Sequence, residues 1–286
     1  MDLDRVAFAC IAPHGWLLIP LVAGPDGART RASRAALEEM GRRMETAQPE
    51  TVVILEPHGL LVDGAISLLD TAEVHGTTGG PTDLGATRHS FSLRFATDRE
   101  LNAAIVEAAH AAGVPVVRAR NFLEFVPLGV DYGSMTPLWY LGAMFSPQLR
   151  IVAACTGPGV ARAAYVGFGR AVRQAAEATG RRIAFIASAD LGHAHAPDGP
   201  FGYDPAAAEC DAAVVEAVRA HDLARLLAYD EGWVARAQTD ALEPLLALHG
   251  LVEGTGLRPE VLCYEVPTYF GMLCVAYSPR PSDAAQ

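Results

Sequence analysis

The chain is short of several things, and each shortage excludes something. Among 286 residues there are five cysteines, Cys10, Cys155, Cys210, Cys263 and Cys274. Their number is odd, their spacings are wide and no CxxC pair occurs, which excludes a disulfide framework and a zinc knuckle and predicts buried free thiols in a reducing compartment. No run of about 18 apolar residues is free of charge or of breakers, so no transmembrane span is expected. The first residues, Met-Asp-Leu-Asp-Arg, lack a signal-peptide pattern. These absences together point to the cytoplasm. Basic residues are outnumbered, 22 Lys and Arg against 33 Asp and Glu, for a formal net charge of -11. That balance argues against nucleic acid and anionic membrane surfaces as partners. Charged residues are 19% of the chain and apolar ones 51%, which is enough for a sizeable core and unlike a disordered composition.

Apolar runs of strand character alternate with stretches of helical periodicity. Strands are predicted at residues 6–12, 51–56, 65–69, 90–95, 114–118, 150–154 and 182–187, with a closing hairpin of 261–266 and 270–277. Helices are predicted at 33–46, 98–112, 136–141, 160–179, 206–220, 222–229 and 234–248, the last ending at Gly250. Leu37, Met40 and Met44 fall on one face of the first helix. Residues 75–89, rich in Gly, Thr and Pro, read as a long loop of the kind that often carries function. The alternation implies an α/β fold with a mixed, mostly parallel central sheet and helices on both faces. No linker divides the chain, so residues 1–286 form a single domain, with a frayed tail at 278–286.

One phrase occurs twice. Residues 6–12 run into Pro13-His14-Gly15, and residues 51–56 run into Pro57-His58-Gly59. Each is a buried strand that stops on a stiff turn and delivers an imidazole to the sheet edge. A lone histidine of this kind is most simply a core residue bonded to backbone. Two in the same phrase read as two halves of one metal site, and neutral imidazole suits Zn, Fe and Cu alike. A third strand end carries Ser188-Ala-Asp-Leu-Gly-His193-Ala-His195. Ser188 or Asp190 can cap a turn there, and His193 can act as a ligand or as an acid/base near neutral pH. Two histidines plus one carboxylate make a non-haem Fe(II) site with open positions. The candidate carboxylates are Glu56, Asp190, Asp240 and Glu243. Glu56 precedes His58 by two, so strand alternation lets both point to one side. Glu243 lies in an otherwise apolar helical stretch, where an unpaired charge is costly and a metal would compensate it.

These stretches, with Asp131-Tyr-Gly-Ser-Met-Thr-Pro-Leu138 and Gly199-Pro-Phe-Gly-Tyr-Asp-Pro205, resemble the class III extradiol ring-cleaving dioxygenases, the catalytic-subunit family that includes protocatechuate 4,5-dioxygenase and 2-aminophenol 1,6-dioxygenase. The resemblance spans nearly the whole chain. It implies Fe(II), with Mn(II) or Zn(II) as other occupants, held by His14, His58 and a glutamate on a late helix. Glu243 is the best match for that glutamate and Asp240 the alternative. His193 falls on the acid/base position. Tyr132 stands where many relatives place a histidine near the substrate, and His195, the weaker candidate of the pair His193 and His195, is the second expected substrate contact. The implied partners are a catechol or 2-aminophenol and dioxygen, with a small second subunit in some relatives; a homodimer is the expectation because closed two-fold dimers are the commonest oligomer. Trp16 to Ile19 and residues 122–126 are candidate walls for the ring, and His75 and His89 candidate contacts to an acidic substituent. A zinc-dependent hydrolase in the same pocket and a non-catalytic binding relative are the rival readings.

Overall fold

The computed structural model describes residues 5–78, 81–82, 85–86, 91–143 and 149–279. The strands are β1 (Val6–Ala12), β2 (Thr51–Glu56), β3 (Ile66–Leu69), β4 (Glu73–Thr78), β5 (Pro81–Thr82), β6 (Gly85–Ala86), β7 (Phe91–Ala96), β8 (Val116–Ala119), β9 (Leu128–Gly129), β10 (Arg150–Cys155), β11 (Ile183–Ser188), β12 (Leu257–Glu265) and β13 (Met272–Pro279). The α-helices are α1 (Pro20–Ala23), α2 (Arg31–Ala47), α3 (Arg99–Ala111), α4 (Tyr132–Leu138), α5 (Arg162–Thr179), α6 (Pro205–Arg219), α7 (Glu231–Ala237) and α8 (Leu242–Val252).

Eight strands form one sheet in the order β12-β13-β1-β11-β2-β10-β3-β8. Its centre, β1-β11-β2-β10, is parallel throughout, whereas β3 joins β10 and β13 joins β1 antiparallel. The central strands are apolar on both faces, because both faces are covered. Ala9, Ile11, Val53 and Leu55 pack with residues of α3, α5, α6 and α8. Phe8, Cys10, Val52 and Ile54 pack on the other face with α2 and α4. Leu37, Met40 and Met44 of α2 are buried there, as their spacing predicts. The fold is thus the mixed, mostly parallel α/β sheet that the alternation of elements implies.

Helix α8 is buried almost all round. Leu245, Leu246, Leu248 and Leu251 are fully enclosed, and burying a leucine contributes about 1.5–3 kcal/mol. Its tight seat on α5 needs Gly250, where a Cβ would fall 2.0 Å from the Val166 carbonyl oxygen. Gly250 therefore sits inside the helix as a contact, not at its end.

Four other expectations change. Residues 75–78 belong to β4, paired antiparallel with β7, rather than to a loop; His89 lies outside the described residues. The helix expected at 136 starts at Tyr132, because the Asp131 side chain caps it by accepting from the Gly133 N–H at 2.8 Å. The helix expected over 234–248 is broken: α7 ends at Ala237, Gln238 caps it in the left-handed region at φ 55, and α8 starts at Leu242. Ser278 and Pro279, expected in a frayed tail, pair with Arg258 and Leu257 as the end of β13. The rest of that tail lies outside the described residues.

Candidate metal centre

β1, β11 and β2 are adjacent and parallel, so their carboxyl ends open on one crevice, where open α/β sheets bind ligands. His14 follows β1, His58 follows β2, and Asp190 and His193 follow β11. The turn after β2 requires Gly59: its φ is +79, and a Cβ there would lie 2.9 Å from the Cys155 sulfur. That turn is held from above by Asp131, whose second carboxylate oxygen accepts the Gly59 N–H at 3.1 Å.

His14 Nε2 and His58 Nε2 lie 3.2 Å apart, and Asp240 Oδ2 is 3.4 Å from the first and 3.5 Å from the second. Among the described residues, these three form the group whose donor atoms converge on one point. A triangle of that size is the spacing of three ligands each about 2 Å from a shared ion. The donor chemistry agrees. The Ser188 hydroxyl has one proton and gives it to the Gly133 carbonyl, which can only accept. Its lone pair, 3.1 Å from His14 Nδ1, then takes the Nδ1–H. His14 is left with a bare Nε2 lone pair facing the triangle, the orientation that a ligating histidine needs. Two histidines and a carboxylate suit a divalent ion such as Fe(II), Zn(II) or Mn(II).

The electrostatics also suit a cation. Burial alone would lower the His14 pKa, but the carboxylates of Asp190 and Asp240 overturn that and raise it to about 9. Burial raises the Asp240 pKa, and the charge and hydrogen bonds of His14, with a hydrogen bond from His58, more than reverse it, leaving the carboxyl well below its usual range. With no metal bound, a proton on His14 fills the cation's place.

Asp240 reaches the site because the chain breaks between α7 and α8. The break is fastened to the loop after β11 by several bonds. The Asp190 N–H donates to Asp240 Oδ1 at 2.9 Å, and the His193 N–H donates to the Ala237 carbonyl at 2.9 Å. His193 Nδ1 lies 2.7 Å from the Gln238 carbonyl, which can only accept, so Nδ1 carries the proton and Nε2 is free to take one. The ring stacks on Phe270, with centroids 5.2 Å apart, and Phe201 meets it edge-on.

The other expected residues divide. Tyr132 comes to the site: its hydroxyl lies 3.3 Å from His58 Nε2, and its ring centroid is 4.7 Å from that of His58. Burial, then the charges of Asp131, Asp240 and Asp190, push its pKa up, so the phenol stays neutral. Glu243 does not join the donor group. It sits in the first turn of α8, where burial raises its pKa and Arg162 of α5 opposes that. Glu56 is buried and takes the Ser134 hydroxyl proton at 2.6 Å. Burial and neighbouring Asp131 raise its pKa well above the ordinary value, so it holds a proton rather than an ion. His195 is engaged by Asp211 at 2.9 Å, and Asp211 also accepts from the Tyr264 hydroxyl and the Gly192 N–H. Phe122 is fully exposed and forms no packed wall. His75 lies on β4, 3.4 Å from the Thr77 hydroxyl.

In the sequence Ser188 reads only as a turn cap, and nothing there marks the Gln238 carbonyl. The signal for the α7–α8 break was present: Thr239-Asp240 before an apolar run with Pro244 behind it is a helix-start pattern.

The family model described as the catalytic LigB subunit of aromatic ring-opening dioxygenase matches residues 8–272. Protein CA_C1420 of Clostridium acetobutylicum is 26% identical over 258 residues, covering 89% of this chain and 54% of that protein. The chain thus spans about half the length of that curated relative. An uncharacterized protein, JW3007 from Escherichia coli K12, has a solved structure similar in fold, with a TM-score of 0.57 at 16% identity over 84% of this chain and 91% of its own. No helix among the described residues is long and apolar enough to cross a membrane.

Proposed function

Because the chain belongs to the family of the catalytic LigB subunit of aromatic ring-opening dioxygenases, we propose that it cleaves a catechol or 2-aminophenol ring beside its two substituents, using dioxygen and one Fe(II) held by His14, His58 and Asp240. The observation that carries the reading is the triangle of Nε2, Nε2 and Oδ2 atoms 3.2–3.5 Å apart at the carboxyl ends of β1 and β2. Fe(II) at such a triad supplies open positions for substrate and oxygen and a route for electrons between them. No outside reductant is needed: both oxygen atoms enter the product, and the ring supplies the electrons.

The protein's own groups manage protons and position. His193, with Nδ1–H spent on Gln238, uses Nε2 to take the proton of a ring hydroxyl and return it as the ring opens. Phe270 and Phe201 hold the imidazole in plane for that exchange. Tyr132 offers a neutral hydroxyl beside His58, a donor to a substrate oxygen that does not compete as an anion. Ser188 fixes the His14 tautomer. His195 acts through Asp211 to stiffen the loop that carries His193.

The test is anaerobic loading with Fe(II), then oxygen uptake against catechols, protocatechuate-like acids and 2-aminophenols. Uptake with a yellow ring-opened product is expected. Tight binding of one metal without uptake on any of them would overturn ring cleavage and favour a zinc-dependent hydrolase; absence of metal binding would favour a non-catalytic relative.

A further inference from the structure

The mechanism above leaves one buried charge beside the triangle unused. The Asp190 side chain is 3% exposed. Its Oδ1 accepts the backbone N–H of His14 at 3.1 Å, and that bond is structural. Its Oδ2 faces His14 Nε2 at 3.4 Å, the same distance at which Asp240 Oδ2 faces it. With its Nδ1–H given to Ser188, His14 aims the Nε2 lone pair at the space that an ion, or in the metal-free protein a second proton, would fill. A carboxylate oxygen facing a nitrogen lone pair across 3.4 Å, out of water, is repulsive unless a positive charge lies between them. The backbone N–H of Asp190 donates to Asp240 Oδ1, so the two carboxylates are fixed relative to each other on one side of His14. Asp190 is not one of the three mutually converging donors.

We propose that Asp190 is a fourth member of the cation site, a second carboxylate charge placed just outside the triangle of donors to raise its affinity for a divalent ion. This rests on the reading that His14, His58 and Asp240 hold a metal. With Asp190 included, two negative charges face a doubly positive ion, and the site as a whole becomes neutral. The arrangement also explains why a buried aspartate follows β11 at all: half of it holds the His14 backbone, and the other half answers a cation.

The experiment compares Mn(II) affinity and metal-free melting in the wild-type 286-residue chain and in Asp190→Asn. Mn(II) is an air-stable ion suited to carboxylate and imidazole ligands. Asparagine keeps the oxygen that accepts the His14 N–H and turns an N–H toward His14 Nε2. The expected result is Mn(II) binding weakened roughly tenfold to a hundredfold, the range for groups behind metal ligands, with the metal-free variant still melting in one cooperative transition. Unchanged Mn(II) affinity in the variant, with the wild type binding normally, would overturn the role of Asp190 alone. Weakened binding in a variant whose metal-free form has lost its cooperative melt would also overturn it, because Asp190 would then be a structural residue. A wild type that binds neither Mn(II), Fe(II) nor Zn(II) would remove the metal site and this role together.

Discussion

Replacing Asp240 by Asn, against Glu243 by Gln, separates the two late carboxylates. Asp240 Oδ2 is one of three atoms in a triangle 3.2–3.5 Å on a side, while Glu243 lies in the first turn of α8 beside Arg162. Removing a group behind a metal ligand costs about 10–100-fold in affinity, so removing a ligand should cost at least a hundredfold. At a metal concentration of about 100 times the wild-type Kd, binding stabilises the fold by about 2.7 kcal/mol. For 286 residues, with an unfolding entropy of about 2.1 cal/mol/K per residue, that is roughly 4–5 °C in melting temperature. Asp240→Asn at the same metal concentration would be no more than half saturated, leaving about 0.4 kcal/mol and a shift of about 1 °C. Glu243→Gln should keep the full shift. The assay is a thermal melt with and without Mn(II) or Fe(II) under anaerobic conditions. A full shift in Asp240→Asn with its loss in Glu243→Gln would refute the assignment.

His193→Ala should keep metal affinity within about threefold and lose turnover by at least 100-fold, the lower range for a general acid/base; loss of the metal instead would make His193 a ligand. Ser188→Ala frees the His14 tautomer and should weaken metal binding about 10–100-fold while the fold persists, measured by competition with a chromogenic chelator. Gly59→Ala forces a side chain into a positive-φ turn against Cys155, and the unfolding free energy from a denaturant melt should fall by about 1–3 kcal/mol; an unchanged value would show that the turn can relax. Tyr132→Phe should leave metal binding intact and change relative kcat/KM across the substrate panel, because it removes only a hydroxyl beside His58; an identical substrate profile would remove Tyr132 from substrate binding.

Much of this protein was legible in the order of its residues. The paired Pro-His-Gly phrases placed His14 and His58 at the ends of two strands, because apolar runs of β1 and β2 end there and a turn must follow. Leu37, Met40 and Met44 marked the buried face of α2 by spacing alone. The alternation of strand and helix implied the layered sheet, since each element exposes one face that must be covered. These are local or periodic signals, carried by neighbours in the chain.

What only the tertiary structure decided depends on residues far apart. Glu243 and Asp240 are three positions apart, and both read as buried acids near an apolar helix. The structure turns Asp240, and not Glu243, toward His14 and His58 through the break after Gln238, which takes the left-handed conformation where the loop is tied to Asp190 and His193, some fifty residues earlier in the chain. Likewise the proton on His14 is placed by Ser188 and the Gly133 carbonyl, partners brought in by β11 and α4. A hydrogen-bond direction is set by what stands opposite, and what stands opposite here comes from other strands and helices. The sequence by itself determined which chemical groups arrive at the crevice; the packing of α8 and the loop after β11 decided which of them face one another.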